Sequence, residues 1–349
     1  MPTDSGDIRL KNREELTQLL KDAGEPAFRA KQLYEWLWKK NVSSFSDMRN
    51  LGARLLEHLE THYRLNKVSI FTEQRSKDGT VKFGFRLADG ELVEGVLIPT
   101  ETRMTACISS QVGCSLTCKF CATGYMDLKR NLHPYEIYDQ VDLIRKKALE
   151  YYGIPLSNIV YMGMGEPLLN YKNVLASIHH ITDPEEMGMS PRRITVSTAG
   201  IAKMIKKLAD DEAKVEFALS LHAANDTKRS QIMPINEHNS LEALKEALLY
   251  FTDKTGTRVT FEYIIFQDFN DEVEDAEELY QFSRNIPCKI NIIEYNPIAW
   301  SDLQNTSGNR MHRFKEYLES KGMIVNVRRS RGRDVDAACG QLAIKERGS

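Results

Sequence analysis

The sequence predicts an α/β fold whose core is a parallel sheet, either doubly wound or curled into an open barrel, preceded by a helical bundle. From about Met104 onward, short apolar runs alternate with amphipathic stretches, a repetition that is typical of parallel sheets. The first 65 residues instead place apolar residues at helical spacing, and residues 67–99 alternate with period two. The six apolar runs of the core are TACIS, SNIVYMG, RITVST, VEFALSLH, VTFEYII and KINIIEYN.

These patterns divide the chain into a helical domain at 1–65, a β adaptor segment at 66–100 and a core at 101–349. In the helical domain, Asn12 and Glu15 form a capping pattern ahead of the first helix. The apolar positions of its three expected helices are Leu16, Leu19 and Leu20, then Leu33, Trp36 and Leu37, then Leu55, Leu56 and Leu59. The core helices are expected at about 134–151, 171–182, 240–254, 272–285 and 308–321.

Composition excludes several classes of protein. The formal net charge is −2 and the pI about 6.5, so a nucleic-acid site would have to be a local basic patch. No run of about 18 apolar residues and no apolar N-terminal stretch is present, so we expect a cytoplasmic protein with no membrane span. Six clustered cysteines are too few for a secreted disulfide scaffold, and in a reducing compartment they indicate metal binding or catalysis.

Polar or small residues follow most of the predicted core strands. Because the carboxyl ends of parallel strands gather at one edge, these residues together favour a ligand site there, although each alone is equally typical of a turn or a helix cap. They are Cys107, Gly163 to Glu166, Ser197 with Thr198, Ser220 to His222, and Asn296 with Pro297.

Three cysteines lie in a short segment, CSLTCKFC, directly after the first core strand. Cys114, Cys118 and Cys121 have the spacing C-x3-C-x2-C. Structural zinc usually takes four ligands in two separated pairs, whereas a cubane held by three thiolates leaves one iron open to a ligand. The position at the mouth of a β/α core favours the cubane.

This motif after the first strand resembles the signature of the radical S-adenosylmethionine (SAM) superfamily. Further motifs resemble one subfamily, the RlmN-type RNA adenine carbon-2 methyltransferases, over nearly the whole chain. The resemblance implies an open (βα)6 partial TIM barrel, an N-terminal RNA-binding accessory domain, a 4Fe-4S cluster on the three cysteines and two SAM molecules per turnover. The motifs are CISSQVGCSLTCKFCATG, YMGMGEPLLNY, SPRRITVSTAGI, FALSLHA, MPIN, EYNP and RGRDVDAACGQL.

The same resemblance implies roles for individual residues. Cys339 is the cysteine that carries the methyl group as S-methylcysteine, and a radical derived from the second SAM activates that group for addition to carbon 2 of the adenine. Cys107 then attacks Cys339 to leave a transient disulfide, and Glu94 accepts the proton. The implied SAM contacts are Gly165, Glu166, Ser197, Ser220, Leu221, His222 and Asn296, and the motif does not say whether Ser197 or Thr198 points inward.

Glu94 interrupts the otherwise apolar run LVEGVLI, and burial would raise its pKa and make it a better base. It can instead be read as the partner of a buried Arg. Cys288 is read as a small buried apolar residue.

The implied partners are 23S ribosomal RNA, transfer RNA and an electron donor such as flavodoxin. Arg328, Arg329, Arg331 and Arg333, close before Cys339, favour phosphate contacts. Two alternatives stay open at this stage. One is a carbon-8 adenosine methyltransferase of the antibiotic-resistance type, and the other is a non-catalytic RNA-binding protein with a metal site.

Overall fold

A computed structural model describes residues 6–344, and its centre is one ten-stranded sheet. The first three strands are an antiparallel meander, and the strands from β4 onward run parallel to one another. The strands of this sheet are β1 Ser69–Arg75, β2 Val81–Arg86, β3 Leu92–Pro99, β4 Met104–Cys107, β7 Leu156–Tyr161, β8 Ile194–Thr198, β9 Glu216–Ser220, β10 Val259–Ile265, β11 Cys288–Glu294 and β12 Val325–Arg328. A small hairpin, β5 Gln111–Val112 with β6 Arg130–Asn131, follows β4.

Helices connect each pair of successive parallel strands, so the predicted α/β architecture is confirmed. Neighbouring parallel strands are also consecutive along the chain, and the sheet has two free ends, as an open barrel of six βα units requires. The connecting helices are α4 Pro134–Tyr152, α5 Tyr171–Thr182, α6 Ala202–Asp210, α7 Asp226–Ile232, α8 Leu241–Thr255, α9 Val273–Ser283 and α10 Gly308–Ser320. All five helices expected in the core are present, each within about two residues of its expected bounds.

Before the sheet, three short helices form the N-terminal bundle: α1 Arg13–Asp22, α2 Phe28–Tyr34 and α3 Ala53–His62. The capping box at Asn12 and Glu15 is formed as predicted. α2 passes into a π-helical turn over Glu35–Lys39, which no pattern of apolar residues had indicated.

The bundle is fixed to the core by Arg9, whose guanidinium is buried and binds both carboxylate oxygens of Asp139 in α4, at 2.8 and 3.1 Å. Trp38 is fully buried and stacks on His180 of α5. The helical segment therefore packs tightly on the outer helices of the barrel.

Residues 329–344 cross the mouth of the barrel, and we call them the C-terminal strap. Near its start, the Gly332 amide donates to Asp78 in the β1–β2 turn at 2.9 Å. Near its end, the carbonyl of Leu342 accepts from Thr123 in the cysteine loop at 2.6 Å. The strap thus spans the gap between the open edges of the sheet. Among the described residues, no helix combines the length and apolar character that a membrane crossing requires.

Candidate active site

The carboxyl ends of the parallel strands enclose a cavity of about 150 Å³ beneath the strap. Residues of six strands and of the cysteine loop line it, so the predicted strand ends meet here, except for Cys107 and Asn296, which are not in the lining. The lining includes Cys114, Cys118, Cys121, Gly163, Gly165, Glu166, Ser197, Thr198, Ser220, His222, Glu262, Arg328, Cys339 and Gly340.

Cys114, Cys118 and Cys121 lie together at this cavity as free thiols. Beyond the effect of burial, the neighbouring Cys121 and Cys114 raise the pKa of Cys118, so the three thiols lie close to one another. Three thiolates at one cavity can hold a cubane, in which each binds a different iron and the fourth iron stays open to a ligand.

Burial also makes these thiols poor ligands until a cation is present. It raises the pKa of Cys114 to about 12 and the pKa of Cys118 well above its ordinary value. A metal ligand must be the thiolate, so the site is prepared for a centre whose own positive charge supports ionisation.

Gly165 and Glu166 form the tight turn after β7. Gly165 has φ +93°, and a Cβ there would lie 2.5 Å from the Gln111 side chain, so the turn requires glycine. The carboxylate of Glu166 accepts from the amides of Leu168 and Ala199 at 3.0 and 2.7 Å. Burial raises its pKa against the effect of these two bonds, which leaves a fixed carboxylate suited to an amino group.

The strand-end residues of β8 and β9 border the same cavity. Ser197 and Thr198 both do so, which leaves open which of them meets a ligand. His222 has φ +56°, and its Nδ1 accepts from the Ile264 amide at 3.0 Å. Burial lowers the pKa of His222 to about 3, so the ring stays neutral at physiological pH. Leu221 is fully buried and is not among the lining residues.

Asn296 follows β11 and contacts the strap, and its SAM contact stays a prediction. It is absent from the cavity lining, and its amide instead joins the strap. Its Nδ2 donates to the carbonyl of Cys339 at 3.2 Å, and its Oδ1 accepts from Arg333 at 3.1 Å.

Cys339 lies at the wall between two cavities. One is the cavity of the three cysteines, and the other, of about 260 Å³, is lined by Cys107 together with the start of the strap. Burial raises the pKa of Cys107 to about 12, and the neighbouring Cys339 raises it further. All six cysteines are free thiols in this structure, so it does not support a disulfide bond between Cys107 and Cys339, which the family resemblance implies only as a transient one.

Glu94 lies on the same face of β3 as Val96, the residue paired with Cys107 across β3 and β4. It nevertheless lines a separate cavity, bounded by strap residues 334–336. Its partner is Lys82, at 2.9 Å, rather than the buried arginine considered as an alternative.

One polar residue of the cavity, Glu262, was not singled out from the sequence, and Arg328 was singled out only as a phosphate contact. Glu262, in the middle of β10, accepts from Asn291 at 2.9 Å and from Arg328 at 3.0 Å. A carboxylate inside the apolar run VTFEYII is the same signal that singled out Glu94, and it could have identified Glu262. Arg328 lines both cavities that meet at Cys339.

The arginine run before Cys339 is partly engaged within the protein. Arg328 pairs with Glu262, and Arg333 pairs with Glu294. Arg329 and Arg331 line the Cys107 cavity, and phosphate contacts by the arginine run stay a prediction.

Comparison with known proteins agrees with this site. The Radical SAM superfamily profile matches residues 108–282. A crystal structure of a radical SAM methyltransferase from Sphaerobacter thermophilus superposes with a TM-score of 0.90 at 38% identity, over 97% of this chain and 99% of that one. The fold and the site therefore define a radical SAM enzyme, which uses a 4Fe-4S cluster and SAM.

The particular family follows from two further matches. The profile of the ribosomal RNA large subunit methyltransferase N-terminal domain covers residues 8–65. The "Probable dual-specificity RNA methyltransferase RlmN" of Cytophaga hutchinsonii is 62% identical over 97% of this chain and 93% of its own length, and the Bacillus subtilis protein of the same name is 43% identical over 96% and 92%. The chain belongs to the RlmN family.

Proposed function

We propose that this enzyme methylates carbon 2 of an adenosine in 23S ribosomal RNA and in transfer RNA, through an S-methylcysteine formed on Cys339. The observation that carries the proposal is the position of Cys339 at the wall shared by the three-cysteine cavity and the Cys107 cavity. A thiol placed there can receive a methyl group on one side and deliver it on the other.

In this proposal Cys114, Cys118 and Cys121 hold the 4Fe-4S cluster. Glu166 would bind the amino group of SAM, since its carboxylate is fixed and buried. The backbone of Gly165 and the strand-end residues Ser197, Ser220 and His222 would surround the rest of the molecule. When bound, the cluster and two SAM molecules supply the methyl group and the one-electron chemistry that activates it.

The chain's own thiols and carboxylate complete the transfer. Cys339, as a thiolate, takes the methyl group by displacement, and the activated carbon joins carbon 2 of the adenine, which links protein and RNA. Once the adduct has given up its unpaired electron to the redox centre, the Cys107 thiolate would attack the sulfur of Cys339. A sulfur–sulfur bond forms as the sulfur–carbon bond breaks, the leaving methylene carbon takes up a proton, and cellular thiols reduce the disulfide. Glu94 accepts the proton of carbon 2. Leu221 and Asn296 would act by shaping and holding this site.

The RNA would enter from the strap side. Arg329 and Arg331 lie beside the Cys107 cavity and supply positive charge for phosphates, and residues 1–65 form an accessory RNA-binding domain. An adenine has to leave its stack to reach Cys339, which favours a loop or single-stranded target. Flavodoxin is the proposed electron donor and the cytoplasm the proposed location.

The test incubates reconstituted enzyme with a 23S fragment, a transfer RNA, reductant and SAM, followed by digestion to nucleosides and mass spectrometry. We expect 2-methyladenosine in both RNAs, a mass gain of one methyl group on Cys339, and none of these in Cys339→Ala. Product at carbon 8 would assign the chain to the antibiotic-resistance type. RNA binding with iron or zinc but no methyl transfer would leave only a metal-containing binding protein.

A further inference from the structure

We propose that Lys82 is a positioning residue for Glu94: its ammonium group occupies one carboxylate oxygen and reserves the other for the proton of the RNA adduct. This inference rests on the proposed function, because it assigns a partner to the proton acceptor of that reaction. It concerns a lysine that neither the motifs nor the strand-end residues had singled out.

The geometry separates the two oxygens of Glu94. Lys82 Nζ lies 2.9 Å from Oε1, and both residues are buried, with 6% and 9% of their surface exposed. Among residues 6–344, Oε2 is buried and has no hydrogen-bond partner within normal distance, although the Ala343 amide at the end of the strap lies near the carboxylate and lowers its pKa. A buried acceptor without a partner is costly in a folded protein, so its persistence calls for a group that arrives during the reaction.

The backbone around Glu94 is fixed from the side of the SAM turn. Ser109 donates through Oγ to the Glu94 carbonyl at 2.6 Å and accepts from the Met164 amide at 2.8 Å. Met164 lies next to Gly165, so the position of Glu94 is coupled to the turn that borders the three-cysteine cavity. Glu94 is thus held at two places: Lys82 binds its carboxylate, and Ser109 binds its main-chain carbonyl.

Strand register places Lys82 and Glu94 on one face. In the β2–β3 pair Lys82 is opposite Val96 and Gly84 is opposite Glu94, so the two charged residues are diagonal neighbours. The other ionisable groups around this cavity are acidic: Glu73 on β1, and Asp334 and Asp336 on the strap. Among the described residues lining it, Lys82 is the single cation, and it is the group that keeps Glu94 able to accept a proton.

The charges around Glu94 determine the direction in which its pKa would change if Lys82 were replaced. Burial raises the pKa of Glu94, Lys82 opposes that rise, and Asp336 adds to it. In the transfer step the bond between carbon 2 and its hydrogen breaks, its electron pair stays in the ring, and the proton joins Oε2. Without the ammonium group, the pKa of Glu94 would rise further, and less of the carboxylate would be ionised and able to accept the proton.

The experiment follows release of the covalent protein–RNA adduct in a single turnover between about pH 5 and pH 9, the range over which a buried carboxyl titrates. Adduct and free 2-methyladenosine are measured on denaturing gels and by nucleoside analysis. We expect Lys82→Met to move the acid limb of the release rate upward by about 1 to 3 pH units and Lys82→Arg to restore it. Methylation of Cys339 precedes release of the adduct. Normal methylation in the same samples would therefore show that Lys82→Met is folded.

Two further variants make the result decisive. Lys228→Met is the matched control, since Lys228 also pairs with a buried carboxylate, Asp275, but on the outer helices, and its profile should equal that of the unmodified chain. Glu94→Gln should trap the adduct at every pH. If Glu94→Gln blocks release while Lys82→Met leaves the profile unmoved, the role of Lys82 is overturned and the proposed function stands. If Glu94→Gln releases product normally, Glu94 is not the acceptor and the inference falls with it.

Discussion

The side-chain amide of Asn296 donates to the main-chain carbonyl of Cys339 at 3.2 Å. The bond joins the segment after β11 to the strap at the residue that bears the reactive thiol. Arg333 donates to the oxygen of the same amide, so one side chain holds the strap at two positions. The orientation of Cys339 between its two cavities therefore depends on a residue that is in the lining of neither.

Asn296→Ala removes both bonds and should loosen the strap without unfolding the barrel. We expect faster hydrogen exchange over 333–342 and a Cys339 methylation rate lower by about fivefold, the effect of losing one net hydrogen bond of about 1 kcal/mol. Exchange mass spectrometry and the mass of Cys339 peptides measure the two. Unchanged exchange in the strap would show that Asn296 does not hold it.

Cys118→Ala should abolish cluster binding, because three thiolates are the fewest that hold a cubane with one open iron. Iron, sulfide and visible absorption after anaerobic reconstitution measure this. Cys288→Ala is the control: Cys288 is buried against the Ser283 carbonyl on the outer side of β11 and should keep full iron content. If Cys118→Ala bound as much iron as Cys288→Ala, Cys118 would not be a ligand of the cluster.

Arg9→Met should weaken the attachment of the N-terminal bundle. It leaves Asp139 buried without its bidentate partner, which costs about 3–5 kcal/mol. The midpoint of urea unfolding measures this, and Arg54→Met on the exposed face of α3 should leave it unchanged. A fall in RNA affinity with the three-cysteine site intact would also support the accessory role proposed for residues 1–65.

Acid should destabilise the fold through His222. The folded pKa of His222 is about 3, below the unfolded value of 6.5, so the unfolded chain binds more protons between these values and stability is lost as pH falls from about 6.5. At pH 5 the loss from this group is about 2 kcal/mol. His222→Asn, which tolerates the left-handed backbone, should flatten the pH dependence of urea unfolding of the iron-free chain. His312→Asn, at an exposed site, should not.

Much of the site could be predicted because its determinants are local. The cysteine spacing marks a loop, and glycine followed by glutamate after an apolar strand marks a tight turn with a fixed carboxylate. Glu94 was recognisable as an anomaly in an apolar strand, but its partner was not, since the pairing of Lys82 with it depends on the register of β2 and β3. No local pattern encodes register across a turn.

Contacts between distant parts of the chain were the least predictable. Thr123 and Leu342 are 219 residues apart and yet share a hydrogen bond. The ion pairs of the arginine run were unpredictable for the same reason, because the carboxylates that pair with Arg328 and Arg333 lie on β10 and β11. Composition showed the positive charge, but only the folded barrel shows which charges it neutralises.

The closure of the barrel mouth by the strap has a consequence for how the protein is made. A ribosome completes the cysteine loop long before it reaches the residues that will cover it, and domains fold as they emerge. On the nascent chain the three thiols therefore face an open rim. In the finished protein, anything that enters or leaves the same place has to pass a segment tied to both edges of the sheet, so assembly and repair of the centre meet different barriers.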